Sequence, residues 1–406
     1  MKTQNRTFNP WNGTTNPGYA YRHSCDVLKI GNLTVRFIRT LRLPEDGKTH
    51  SLPPGLGNFP VRMVEDYKDK VPAKWLEHGG VFLPMYQREA MWLSFGMNGH
   101  NPDNYCALKV AAGKVNAVSG KTWTETLEKP DASVAGKDPV QDYMVCPDQP
   151  WLDGFNTGDG VIRQFISMPL GMGYTVEKQV TGKEDVGGIQ LIVYPAKPGV
   201  IKPKHQNYRM LGMNATGSAG HYEATYQHDG YAVMSAVPTS LNADEDYFVG
   251  SRGITRSAVS KGAEMGLAAG GKMAQKIYED TYGIDSWDTE NAQRIFVHIV
   301  NSQMWTEITG EPPPPTPVSA QTYTRHGYPW FNLYDEGKAA VQGSGTLGNV
   351  KPVSEMDKEK GFENQQDDSP IEESQKHIIG IPGGGPKPKK VRRVKLGNKE
   401  VPEGKW

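Results

Sequence analysis

The chain carries no surplus of charge: its 45 basic and 45 acidic residues cancel over 406 positions. The broad basic footprint of a nucleic-acid-binding surface is therefore missing from the whole. Cysteine is scarce. Cys25, Cys106 and Cys146 are too few and too scattered for a disulfide framework or a cysteine zinc site; a pairing of Cys106 with Cys146 stays open. There is no run of about 18 apolar residues, so no helix is expected to span a bilayer. The stretch Met1–Arg22 is polar and lacks the apolar centre of a secretory signal. These absences predict a cytoplasmic protein without membrane insertion. What is present is a modest apolar share of 37%, with 46 glycines and 30 prolines, which predicts many turns joining short elements.

The order along the chain predicts an irregular arm over 1–25, a globular core over 26–345 that could be two packed lobes (26–200 and 201–345), and a disordered tail over 346–406 with a basic end. The fold class expected is α+β and β-rich, with one glycine-spaced helix and short additional helices. Leu33–Leu43 alternates apolar and basic residues, as a half-buried strand does. Val81–Phe95 fits either a short helix or a strand. Cys106–Trp123 reads as two strands around Gly113-Lys114, and Ile189–Val193 is nearly continuous and so buried on both faces. Ser257–Tyr278 reads as the helix, with Gly262, Gly266 and Gly270 along one stripe that admits another backbone. Arg294–Val300 reads as a central strand. Glu311–Pro317 has the composition of polyproline II. Tyr323–Glu336 is too aromatic for a solvent loop and should pack back on the domain.

Asp148, Gln149, Trp151, Asp153, Arg163 and Gln164 form the sharpest polar constellation. Two carboxylates near an arginine could bind a polar ligand or act as an acid–base pair; the same residues equally suit a turn stabilised by local backbone hydrogen bonds. His221, Glu223 and His228 bring imidazole and carboxylate close in sequence, which suits a transition metal, but the spacing matches no established zinc motif and a solvated loop reads as well. His298, inside an apolar strand, suits a hydrogen-bonded core histidine. Gly266–Met273 superficially resembles a phosphate loop, yet Lys272 is followed by Met273 rather than a hydroxyl residue. At the basic end, Lys389, Lys390, Arg392 and Arg393 could meet acidic partners or act as a solubilising tail. No cofactor is implied.

The stretches "SLPPGLGNFPVRMVEDY", "GGVFLPMYQREAMWLSF", "ALKVAAGKVNAVSG", "PDQPWLDGF", "GGIQLIVYPAKPG", "FVHIVNSQMWTEITGEPPPPTP" and "GYPWFNLYDE" resemble an uncharacterised, mostly bacterial protein family. Its members often carry the label "integral membrane protein", although this chain lacks a membrane-spanning segment. The resemblance implies no activity and supplies no catalytic residues. Two functions follow as expectations. The first is a non-catalytic binding or assembly protein, contacting itself or a protein partner. The second is an enzyme acting on a small polar substrate through the Asp148–Arg163 region.

Overall fold

Strands form wherever β-branched and aromatic residues run between glycine and proline turns. The computed structural model describes residues 27–97, 101–129, 141–202, 264–317, 319–325 and 338–362, with the short pieces 224–226, 232–234, 329–332, 371, 376–380, 393–396 and 399–402. Leu28–Ile30 (β1) and Leu33–Thr40 (β2) make a hairpin over Gly31, whose φ of 58° suits glycine. Short strands Thr49–His50 (β3), Gly55–Asn58 (β4) and Arg62–Met63 (β5) follow, then the helix Ala73–His78 (α1), which stops at Gly79. The ambiguous Val81–Phe95 segment is two strands, Val81–Met85 (β6) and Ala90–Met97 (β7).

Cys106–Ala112 (β8) and Val115–Asn116 (β9) flank Gly113-Lys114 as expected. Met144–Cys146 (β10), Trp151–Leu152 (β11), Gly154–Gly158 (β12) and Val161–Pro169 (β13) follow. The helix Val176–Thr181 (α2) is capped by Thr175, whose hydroxyl accepts the Lys178 N–H at 3.1 Å. After Ile189–Pro195 (β14) comes a separate hairpin of Ala224–Tyr226 (β15) and Ala232–Met234 (β16). Glu264–Ala274 (β17), Gln293–Asn301 (β18), Ser302–Thr309 (α3), Ala320–Arg325 (α4) and Pro329–Asn332 (β19) complete the middle. Gly345–Gly348 (α5), Val353–Glu359 (α6), His377–Gly380 (β20) and the hairpin Arg393–Leu396 (β21) with Lys399–Pro402 (β22) lie furthest along the chain.

Sixteen of these strands make one sheet, whose main path runs β1-β2-β7-β13-β17-β18-β14-β8-β10. Its pairings are antiparallel except β3 on β17 and β6 on β18. The sheet folds across one core. Phe37 and Leu93 from its first half and Val110, Leu191 and Val297 from its second are fully or almost fully buried in the same apolar cluster. A smaller cluster on the other face of β13 and β17 joins Ile162 and Met273 to Tyr323, Trp330 and Phe331. Tyr323, Trp330 and Phe331 of the aromatic segment therefore do pack back, as its composition requires. Cys106 and Cys146 stand directly opposite each other on β8 and β10 as buried free thiols.

The β-rich α+β class is right, but the glycine-spaced helix is not. Glu264–Ala274 is an eleven-residue strand between β13 and β18. Glycine costs about 1 kcal/mol per position in a helix, and long-range pairing with β13 overrides the helical spacing. The period that matters is two. Gly266 and Gly270 share a face, and a Cβ at Gly270 would lie 2.6 Å from Ile166. The small residues do admit close neighbours, across a sheet rather than along a helix. The chain beyond residue 345, read as tail, also contributes to the fold. Val353, Asp357, Ile371 and Lys376 are buried, and β20 pairs in parallel with β19.

Candidate functional site

The constellation at 148–164 is divided by the fold into separate environments. Gln149 is buried and its amide is fully engaged: it donates to the carbonyls of Trp151 at 3.0 Å and Lys276 at 3.3 Å, and accepts the Tyr278 N–H at 2.9 Å. Gln164 does the same for another segment, donating to Leu41 O at 2.8 Å and accepting the Leu43 N–H at 2.9 Å. Gln275, which the sequence did not single out, accepts the Asp153 N–H at 3.0 Å. All three amides join β-strand backbones to loops. Asp148 accepts the Tyr282 hydroxyl at 3.1 Å. Arg163 donates to Gly270 O at 3.3 Å, and the carboxylates that bear on it are Glu45 and Glu355.

Asp153 is the chemically unusual member. Its carboxyl is buried and its Oδ2 has no hydrogen-bond partner among the described residues. Burial pushes its pKa up to about 7, against the weaker opposing effect of a hydrogen bond from Trp151. Trp151 itself is half-buried at the margin of the second apolar cluster.

His221, Glu223 and His228 lie outside the described residues, as do Lys389, Lys390 and Arg392; Arg393 is described only as backbone at the start of β21. Among the described residues, no group of three or more His, Cys, Asp or Glu side chains is arranged to hold a metal.

Sequence reading missed a ladder of rings beside β18. Trp75 stacks on His298 with centroids 4.6 Å apart, His298 on Phe296 at 4.7 Å, and Phe296 on His78 at 4.8 Å. The pattern was present: Phe296 and His298 are two apart on a strand, Trp75 and His78 three apart on a helix. His298 is the core histidine expected, with Nε2 at 3.0 Å from the Gly79 carbonyl. Burial lowers its pKa to about 3, the Gly79 bond opposing. The ladder ends at the exposed His78, where Met63, Glu65, Gly80, Arg294 and Phe296 line a shallow recess of about 260 Å³. The recess exists because β18 continues, at Gln293–Phe296, past the point where β6 begins to pair with it. Gly80 is required there: a Cβ would lie 2.1 Å from the Phe296 carbonyl oxygen.

The Pro-rich segment is also held within the chain. Tyr86 donates its hydroxyl to Pro314 O at 2.9 Å, and Arg39 donates to Pro315 O while pairing with the buried Glu89 at 2.7 Å. Arg62 pairs with Glu311 and lies over the Trp305 ring at 5.7 Å.

No family model, curated protein or solved structure matches this chain.

Proposed function

We propose that the protein is a non-catalytic binding or assembly protein, with the large folded sheet as scaffold and the ring-lined recess at His78 as a contact point. The observation that carries this reading is the engagement of Gln149 and Gln164. Both amides of the polar constellation are committed to backbone groups of their own fold, which makes the segment framework. The recess supports the reading from the other side. It offers an exposed imidazole stacked on a half-buried phenyl ring, with Glu65 and Arg294 also in its lining, and aromatic surface of this kind is favoured in contacts.

The test is light scattering coupled to size-exclusion chromatography on the full chain and on a chain ending at Gly380. A defined assembly that persists in the shorter chain and is lost in His78→Ala supports the reading. A monomer in every case counts against assembly. A second reading, an enzyme acting on a small polar substrate, rests on Asp153 alone, because a carboxyl titrating near 7 suits a general acid or base. Its check is turnover of a substrate panel by the wild type that Asp153→Asn abolishes.

A further inference from the structure

The face of β2 and β7 away from Phe37 and Leu93, the outer face, carries donors that find no acceptor among the described residues. Arg36 on β2 is directly opposite Ser94 on β7, and Ile38 is opposite Trp92. Directly opposed residues share a face, so Arg36, Ser94 and Trp92 lie together on the side away from Phe37 and Leu93. Thr34 and its partner on β1, Lys29, continue the same face. Ser94 is 0% exposed and Trp92 7% exposed, yet neither the Ser94 Oγ nor the Trp92 Nε1 has a hydrogen-bond partner among the described residues.

Arg36 is half-buried, and no hydrogen bond or ion pair joins it to a described residue. Burial pulls its guanidinium pKa down, and no carboxylate among the described residues opposes that pull. The next arginines along the chain differ: Arg39, on the opposite face of β2, has Glu89, and Arg42, beyond the strand, has Glu45. A half-buried guanidinium, a buried indole N–H and a buried hydroxyl, with nothing among the described residues to accept from them, form an unbalanced set. Water could accept from the donors but would leave the positive charge uncompensated in a poorly solvated place. An oxyanion satisfies both the donors and the charge.

We propose that the outer face of β2 and β7 is an oxyanion-binding site, in which Arg36, Ser94 and Trp92 grip a carboxylate or phosphoryl group and Lys29 stands at the rim. The planar guanidinium supplies paired N–H donors to two oxygens. Ser94 and Trp92 supply single donors from β7. The half-buried Arg36 and Lys29 are the open side of the site.

The experiment follows the indole resonance of Trp92 in isotope-labelled full-length protein, identified by its loss in W92F. Sodium phosphate and sodium acetate are titrated separately at ionic strength held constant with sodium chloride. A saturable shift with phosphate alone assigns a phosphoryl group, and one with acetate assigns a carboxylate. R36M should weaken the response by about tenfold or more. R36K keeps the charge but loses the planar fork, so it should be weaker than wild type and serves if R36M fails to fold. Absence of a saturable shift with both anions would overturn the proposal, as would wild-type affinity in either Arg36 variant.

Discussion

Asp153 and His298 are displaced by burial in opposite directions, and each should leave a separate mark on stability. The Asp153 carboxyl is near 3.8 in an ordinary setting and about 7 in the fold. The folded state therefore keeps a proton that the unfolded state has lost. Its contribution is fully present below about pH 4 and disappears as pH rises through 7. Asp153→Asn should gain on the wild type by an amount on the order of 4 kcal/mol between those limits. Urea unfolding at pH 4.5 and pH 8 checks this; an unchanged difference between variant and wild type would place the carboxyl in a wetter setting. His298 runs the other way. With a folded pKa of about 3 against 6.5, it is neutral in the fold, so its contribution is present above pH 6.5 and lost as pH falls towards 3. His298→Phe keeps a ring in the ladder and should reduce the acid sensitivity of unfolding over that window, measured in the same way.

At the scale of elements, the segment carrying α5 and α6 behaves as a strap fastened to the sheet. Arg88 has a left-handed backbone, φ 69°, and reaches Asp357 of α6 with two 2.7 Å bonds. The Tyr174 hydroxyl adds a third donor to the same carboxylate at 2.7 Å. The pair is almost enclosed, with side-chain exposures of 11% and 3%. Removing one member of such a pair strands the other, so Asp357→Ala should cost about 3 kcal/mol. Amide exchange should rise within Val353–Glu359 before it rises in β17; uniform exchange would mean that the apolar contacts of Val353 hold the strap unaided. Further back, the strap crosses β12 where two glycines meet: a Cβ on Gly343 would lie 2.2 Å from the Gly158 Cα. Gly343→Ala should therefore destabilise by about 1–3 kcal/mol, read as a lower urea midpoint.

For the molecule as a whole, the boundary of the folded unit lies later than composition suggests. Lys376 donates to His50 Nδ1 at 2.9 Å and sits 4.6 Å over the Trp330 ring, while the other nitrogen of His50 meets Asp46 at 2.9 Å. Ile371 is buried in the cluster with Trp330. A chain ending at Gln366 loses all of this and should melt several degrees lower. A chain ending at Gly380 keeps it and should melt with the full protein. Calorimetry on the two distinguishes them, and equal melting temperatures would make the β19–β20 pairing incidental to stability.

Much of the fold was legible because its causes are local. Arg294–Val300 and Ile189–Val193 are apolar enough to be strands in any context. Gly79 and Gly310 stop α1 and α3 where a backbone without a Cβ is favoured. Tyr323, Trp330 and Phe331 had to find a core because their rings are costly in water. No helix among the described residues is long and apolar enough to cross a membrane, as the lack of an apolar run of about 18 residues led one to expect. Tertiary structure decided what local pattern leaves open. Glycine and alanine at 266–271 satisfy a helical stripe and a strand face alike, and only pairing with β13 chose the strand. The polar residues at 148–164 could converge or disperse, and the strand register dispersed them. The strand period puts Arg36 and Arg39 on opposite faces of β2, but nothing in the sequence says which of them meets a carboxylate. What separates them is which carboxylate the fold brings within reach, a fact of long-range geometry that no window of sequence contains.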